Sequence, residues 1–226
     1  MPDILHNTSE SLGVALANSV ITTLKAAVAE RGEATLVVSG GNTPRALFNR
    51  LSGMTAPWEA VTIVLADERW VDSNSSDSNE GMVRRELLTG RAAKATLLSL
   101  IPRYPNQDQN LASVRQQLAQ LPRYDLVILG MGGDLHTASL FPCAPEITEG
   151  LVTKEPVLVT HPRTAPYTRV SQSLQRLTAT RRGIVHIVGE RKITALNEAR
   201  TSTNPAVAPI SAFIPPQGSF EVWASR

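Results

Sequence analysis

From residue 12 onward, apolar side chains recur at helical spacing: Leu12, Val14, Ala15, Val20, Ile21, Leu24 and Val28. A stripe with that period predicts an amphipathic helix, and Arg31-Gly32 marks its stop. The next run, TLVVSGG from Thr35 to Gly41, is short, β-branched and closed by glycines, which reads as a strand and a turn. Pro44 then sits where a helix through ALFNRLSG would begin. VTIVLADERW, from Val61 to Trp70, predicts one buried strand, followed by the polar loop VDSNSSDSN. EGMVRRELL and LASVRQQLAQL have helical spacing, and YDLVILG is again an apolar strand. Beyond Pro142 come VLVTHP, RVSQSL and GIVHIVG, a helix through ITALNEAR, and a last strand in SFEVWAS.

Apolar strands alternating with helical segments predict an α/β fold. The expected form is one domain over residues 1–226, a Rossmann-like three-layer sandwich whose mostly parallel open sheet carries helices on both faces. Three unusual segments fall at the carboxyl ends of strands: SGGNTP, ADERWVD and GMGGDLH. Open α/β sheets bind ligands there.

Composition narrows the class. Of 226 residues, 42% are hydrophobic but only 4% aromatic, so Val, Ile, Leu and Ala must supply the core. The net charge is +2, and the basic residues are scattered. Nucleic-acid binding, which wants a basic stripe, is therefore not expected. A single cysteine, Cys143, excludes an internal disulfide framework and a cysteine-based zinc site. The polar N-terminus MPDILHNTSESLG has no signal-peptide core, and no apolar run reads as a membrane span. A soluble, cytoplasmic protein is expected.

The chemistry concentrates at the strand ends. GMGGDLH offers Gly130 and Gly132 to a dinucleotide fingerprint, but the third glycine position is Leu135, so the pattern is broken. SGGNTPR, Ser39 to Arg45, is a strand-to-helix turn whose amides suit a phosphate, with Ser39 and Thr43 as hydroxyl donors; it also fits an ordinary tight turn. In ADERW the charges are either solvated or turned inward, Asp67 toward a cleft and Arg69 toward an anion. His136 is the best catalytic candidate, since an imidazole accepts a proton near neutrality, and Asp134 stands two residues away to orient it. His6, His161 and His186 read as structural. No histidine spacing suggests a metal site. Ser139 lacks the G-x-S-x-G elbow of a serine nucleophile and falls at an expected helix start, where it would cap or pack.

Taken together, SGGNTPRALFNRL, ADERWVD, DSNEGM and GMGGDLHTASLFP, with the arginine of TAPYTRVS and the lysine of VGERKITAL, resemble the 6-phosphogluconolactonase family. The resemblance runs from Ser39 to about Leu196 and includes order and spacing. It implies that His136 is a general base activating water, that Asp134 supports it, and that Asp67 lies near the sugar. It implies a phosphate held by Ser39, Gly40, Gly41 and Thr43, with Arg69, Arg169 and Lys192. The expected partner is a phosphorylated sugar lactone, with no metal or cofactor, in a monomer or small homo-oligomer. An amino-sugar-phosphate deaminase or isomerase and a non-catalytic sugar-phosphate binder are the alternatives. The sequence departs from the family's D-G-H at Leu135: either that residue takes a left-handed backbone, or Gly133 relieves it, or the leucine narrows the pocket.

Overall fold

In the computed structural model, which describes residues 3–101 and 107–226, the first helical pattern becomes α1 (Ser9–Arg31). The Thr8 hydroxyl caps its start by accepting from the Ser11 amide, and Gly32 ends it in a left-handed conformation, φ 81°. By length and composition α1 is able to cross a membrane, contrary to the expectation that no run would reach that length. Its apolar side is already occupied: Leu12, Leu16, Val20 and Leu24 are fully buried in the core.

The remaining helices are α2 (Arg45–Gly53), α3 (Asn79–Glu86), α4 (Gln107–Gln120), α5 (Ile147–Val152), α6 (Leu174–Thr178) and α7 (Glu190–Thr201). The main sheet contains β1 (Ile4–His6), β2 (Ala34–Val38), β3 (Val61–Leu65), β5 (Thr96–Leu98), β6 (Leu126–Leu129), β9 (Gly183–Val188) and β10 (Glu221–Ser225). Their order is β1-β10-β9-β6-β2-β3-β5, every pairing parallel. Every residue of β2 and β6 is buried, as parallel strands covered on both faces require. The expected α/β sheet flanked by helices is what forms.

Two features were not foreseen. The N-terminal segment supplies an edge strand, β1. The run VTIVLADERW, expected as one strand, is two: it leaves the main sheet at Ala66 and continues as β4 (Asp67–Arg69) in a second sheet. That sheet is antiparallel, in the order β4-β8-β7, with β8 (Arg169–Gln172) and β7 (Val157–Thr160). Ala66 is the handover residue. Its amide donates to Val38 of the main sheet (2.8 Å), and its carbonyl accepts from Gln172 of the small one (2.9 Å). The sequence conceals such a switch because no turn residue separates the two strands and both are largely buried.

Candidate active site

Strand β2 continues to β3 on one side and neighbours β6 on the other, so the direction of winding reverses between β2 and β6. A crevice opens at such a point, at the carboxyl ends of the strands. A cavity of about 190 Å³ lies there. SGGNTP enters from β2, GMGGDLH from β6, and the start of the second sheet from β3. Among the residues expected from sequence, Ser39, Gly40, Gly41, Thr43, Asp67, Arg69, His136, Arg169 and Lys192 all line this one cavity. Asp134 does not; it stands behind His136.

One part of the wall gathers hydrogen-bond donors and positive charge. The amides of Gly40, Gly41, Asn42 and Thr43 donate to no protein acceptor among the described residues. They precede α2, whose dipole adds partial positive charge. Lys192, in the first turn of α7, gives an Nζ–H to Thr43 Oγ1 (3.1 Å). Burial holds its ammonium below the usual lysine range. Arg69 and Arg169 face each other as partners in the β4–β8 ladder. Like charges directly opposite across a ladder destabilise it. Burial first, and then the Arg69 charge, depress the Arg169 guanidinium, against opposing pulls from Asp67, Glu68 and Asp77. Arg169 is steadied by the Pro166 carbonyl, at 3.1 and 2.9 Å from Nε and Nη2. Arg69 gives one Nη1–H to the Asp77 carbonyl (2.6 Å), while its buried Nε has no partner among the described residues. An anion between them would satisfy both.

His136 presents the reactive edge. Its Nδ1–H donates to Asp134 Oδ1, which fixes the tautomer that leaves Nε2 as the acceptor. Burial pulls the Asp134 carboxyl up, but the bond to His136 and the imidazole's charge outweigh it, and the carboxyl lies below its ordinary range. A Cβ on Gly132 would overlap the imidazole, so this glycine is needed for close approach. None of Gly130, Gly132 and Gly133 has a positive φ. The left-handed turns fall on Leu135, φ 69°, and Ala138, φ 49°. Leu135 therefore takes the strained backbone itself, and Gly133 does not relieve it. Its side chain packs against the core and is not part of the cavity wall.

Several residues escaped the sequence reading. Asn79, buried at the start of α3, lines the cavity and gives its Nδ2–H to the Asp67 carbonyl (2.9 Å). Its Oδ1 occupies the space a Cβ at Gly40 would need. Glu68 holds α3 in place, accepting from the amides of Arg69 (2.6 Å), Asn79 (2.8 Å) and Glu80 (2.6 Å) and from the Ser78 hydroxyl (3.0 Å). Burial raises its carboxyl above the usual range despite those bonds. Phe141 stacks on His136. The D-S-N-E-G-M spacing was the only hint of Asn79.

Two expectations change in detail. Ser39 lines the cavity, but its hydroxyl donates to the Ile128 carbonyl (3.3 Å) and accepts from the Gly130 amide (3.4 Å), tying β2 to β6. No helix starts at Ser139; Thr137 and Leu140 form an isolated bridge around it, and the next helix is α5. The side chain is fully buried and hydrogen-bonded, so packing rather than capping describes it.

Known proteins resemble this chain in sequence and fold. The family model for glucosamine-6-phosphate isomerases/6-phosphogluconolactonase matches residues 7–223. A 6-phosphogluconolactonase of Pseudomonas putida is 36% identical over 91% of this chain and 86% of its own length. One of Mesorhizobium japonicum is 40% identical over 83% and 80%. A crystal structure of a 6-phosphogluconolactonase from Shewanella baltica superposes with a TM-score of 0.94 at 36% identity, covering 100% of this chain and 98% of the other. The fold and the matched length lead to one conclusion: this chain belongs to the family of glucosamine-6-phosphate isomerases and 6-phosphogluconolactonases.

Proposed function

We propose that this chain hydrolyses 6-phospho-D-glucono-1,5-lactone to 6-phospho-D-gluconate, the hydrolytic step of the oxidative pentose phosphate pathway. The observation that carries the proposal is the shared cavity: two ladder-opposed arginines, a lysine and unpaired helix amides converge beside a single imidazole. The cationic wall binds the phosphate, which carries ~1.5–2 negative charges. That binding is remote from the reacting carbonyl and serves to orient it.

His136 Nε2 takes a proton from water as the water oxygen attacks the lactone carbonyl carbon. Asp134 stabilises the imidazolium. The tetrahedral intermediate collapses by breaking the bond to the ring oxygen, which receives the proton back from His136. The product is the open-chain acid. A δ-lactone is an activated ester, so neither a covalent nucleophile nor a metal is demanded; one base contributes ~10²–10⁴-fold. The ligand is a small phosphorylated lactone, and we place the enzyme in the cytoplasm, a reducing compartment suited to its single cysteine.

The test is a steady-state assay with freshly generated lactone, corrected for spontaneous hydrolysis. Acceleration by the wild-type protein is expected. Ammonia release from glucosamine 6-phosphate without lactone turnover would overturn the reading in favour of a deaminase.

A further inference from the structure

Asp67 and Ser139 lie far apart in the chain and meet in the interior. Ser139 is fully buried and Asp67 is 6% exposed. The Ser139 hydroxyl donates to Asp67 Oδ2 at 2.5 Å. Every other polar group of Ser139 is also committed. Its amide donates to Ser171 Oγ (3.1 Å), and its carbonyl accepts from the Thr160 hydroxyl (3.0 Å). Ser171 is the ladder partner of Asp67, and it passes its own hydroxyl hydrogen to the Gln172 carbonyl (3.1 Å). The small antiparallel sheet thus grips the Ser139 backbone and aims its hydroxyl at one carboxylate oxygen. The other oxygen, Oδ1, takes no bond among the described residues, and Asp67 lines the cavity.

We propose that Ser139 is a positioning residue for the lactonase reaction: it fills Asp67 Oδ2 with a donor and so turns Oδ1 into the cavity as an acceptor for a ring hydroxyl of the substrate. This rests on the functional reading above and extends it to specificity. A carboxylate oxygen is a hydrogen-bond acceptor. It recognises hydroxyl donors, and so selects a polyhydroxylated phospholactone over a deoxygenated one. The serine acts through Asp67 and does not touch the reacting atoms. Its hydrogen is already donated, which also explains why it is no nucleophile.

The test is a double-mutant cycle with a spectroscopic control. Ser139→Ala lowers kcat by roughly tenfold, the scale of a lost buried hydrogen bond to a charged group. KM stays within about twofold, because the cationic wall is intact. In an Asp67→Ala background the same change costs nothing further beyond about twofold. Equal losses in both backgrounds, or no loss at all, would overturn the proposal. Ser139→Cys, nearly isosteric with a weak S–H donor, gives an intermediate loss and carries the same test if the alanine variant does not fold. Independently of turnover, the ¹³C carboxyl resonance of Asp67 in ligand-free protein at neutral pH shifts on Ser139→Ala; an unmoved resonance overturns the contact. A wild-type protein without lactonase activity but with that shifted resonance would defeat the functional reading alone.

Discussion

The imidazole of His136 lies flat against the phenyl ring of Phe141, with centroids 3.9 Å apart and planes inclined by 24°. Phe141 is itself buried, and the Arg169 guanidinium carbon sits 5.7 Å from the same ring's centroid. One aromatic side chain therefore touches both the proposed base and an arginine of the anion wall. An aromatic face attracts a cation held over it by ~0.5–2 kcal/mol.

Phe141→Leu keeps much of the volume but removes that face. The expected result is a loss in kcat of roughly three- to thirtyfold, the rate equivalent of that stabilisation. Affinity for 6-phosphogluconate, read by calorimetry, stays unchanged. A variant with wild-type kcat would assign Phe141 to packing alone.

His136→Ala should lose ~10²–10⁴ in kcat while retaining product binding. Asp134→Asn should lose less. The Asp134 carboxyl lies below its ordinary range because the bond and charge of His136 outweigh burial. It is therefore ionised throughout the neutral range, and the deficit of the asparagine variant will not diminish as pH is raised through that range. A deficit that vanishes at higher pH would show that the carboxylate charge does not matter.

Removing a cation from the wall should act on KM. Arg69→Ala, Arg169→Ala and Lys192→Ala each lose charge-assisted bonds to phosphate worth ~1.5–3 kcal/mol, or roughly ten- to a hundredfold in KM. Arg169→Lys should not restore the wild-type value, because lysine cannot hold both the Pro166 carbonyl and an anion in a planar fork. Burial lowers the Lys192 pKa, so the ammonium loses its proton sooner as pH rises, and substrate affinity should begin to fall at a lower pH than an exposed lysine would give. Phosphate competition across alkaline pH reads this directly.

Leu135 makes a separable prediction. Its left-handed backbone costs ~1–2 kcal/mol, which Leu135→Gly removes, at the expense of side-chain packing and of ~0.5–1 kcal/mol in glycine entropy. These oppose each other, so urea unfolding should change by less than about 1 kcal/mol. KM should not move, because the side chain is outside the cavity wall. A marked fall in KM would mean that the leucine obstructs the substrate after all.

His186, in β9, is buried, and its Nδ1 has no hydrogen-bond partner among the described residues. Burial, and then the charge of Lys192, push its pKa down from 6.5 to about 4. Between those values the unfolded chain binds a proton that the native state refuses, so stability rises with pH across the window and is lost as pH falls through it. The full effect approaches about 3 kcal/mol. His186→Gln should flatten the pH dependence of urea midpoints between pH 6.5 and about 4; an unchanged slope would assign the acid sensitivity to other groups.

Local pattern alone determined much of this molecule. The 3.6-residue stripe of α1, the apolar runs of β2, β6 and β9, and Pro44 and Gly32 at helix ends are local statements, because periodicity and backbone restriction act over a few residues. The same holds for the glycine-rich segments at strand ends, which is why SGGNTP and GMGGDLH were legible as loops where the strands finish. What the tertiary structure decided is long-range. The hand-off at Ala66 depends on Gln172, the opposition of Arg69 and Arg169 depends on an antiparallel ladder, and the partner of Asp67 depends on how Ser171 grips Ser139. Phe141 and Asn79 fall inside motifs quoted from the sequence, but neither had a role of its own until the folded chain set one on His136 and the other beside Asp67. Pairing energies between distant residues leave no period in a sequence, so only the folded chain reveals which side chains the strand ends bring together.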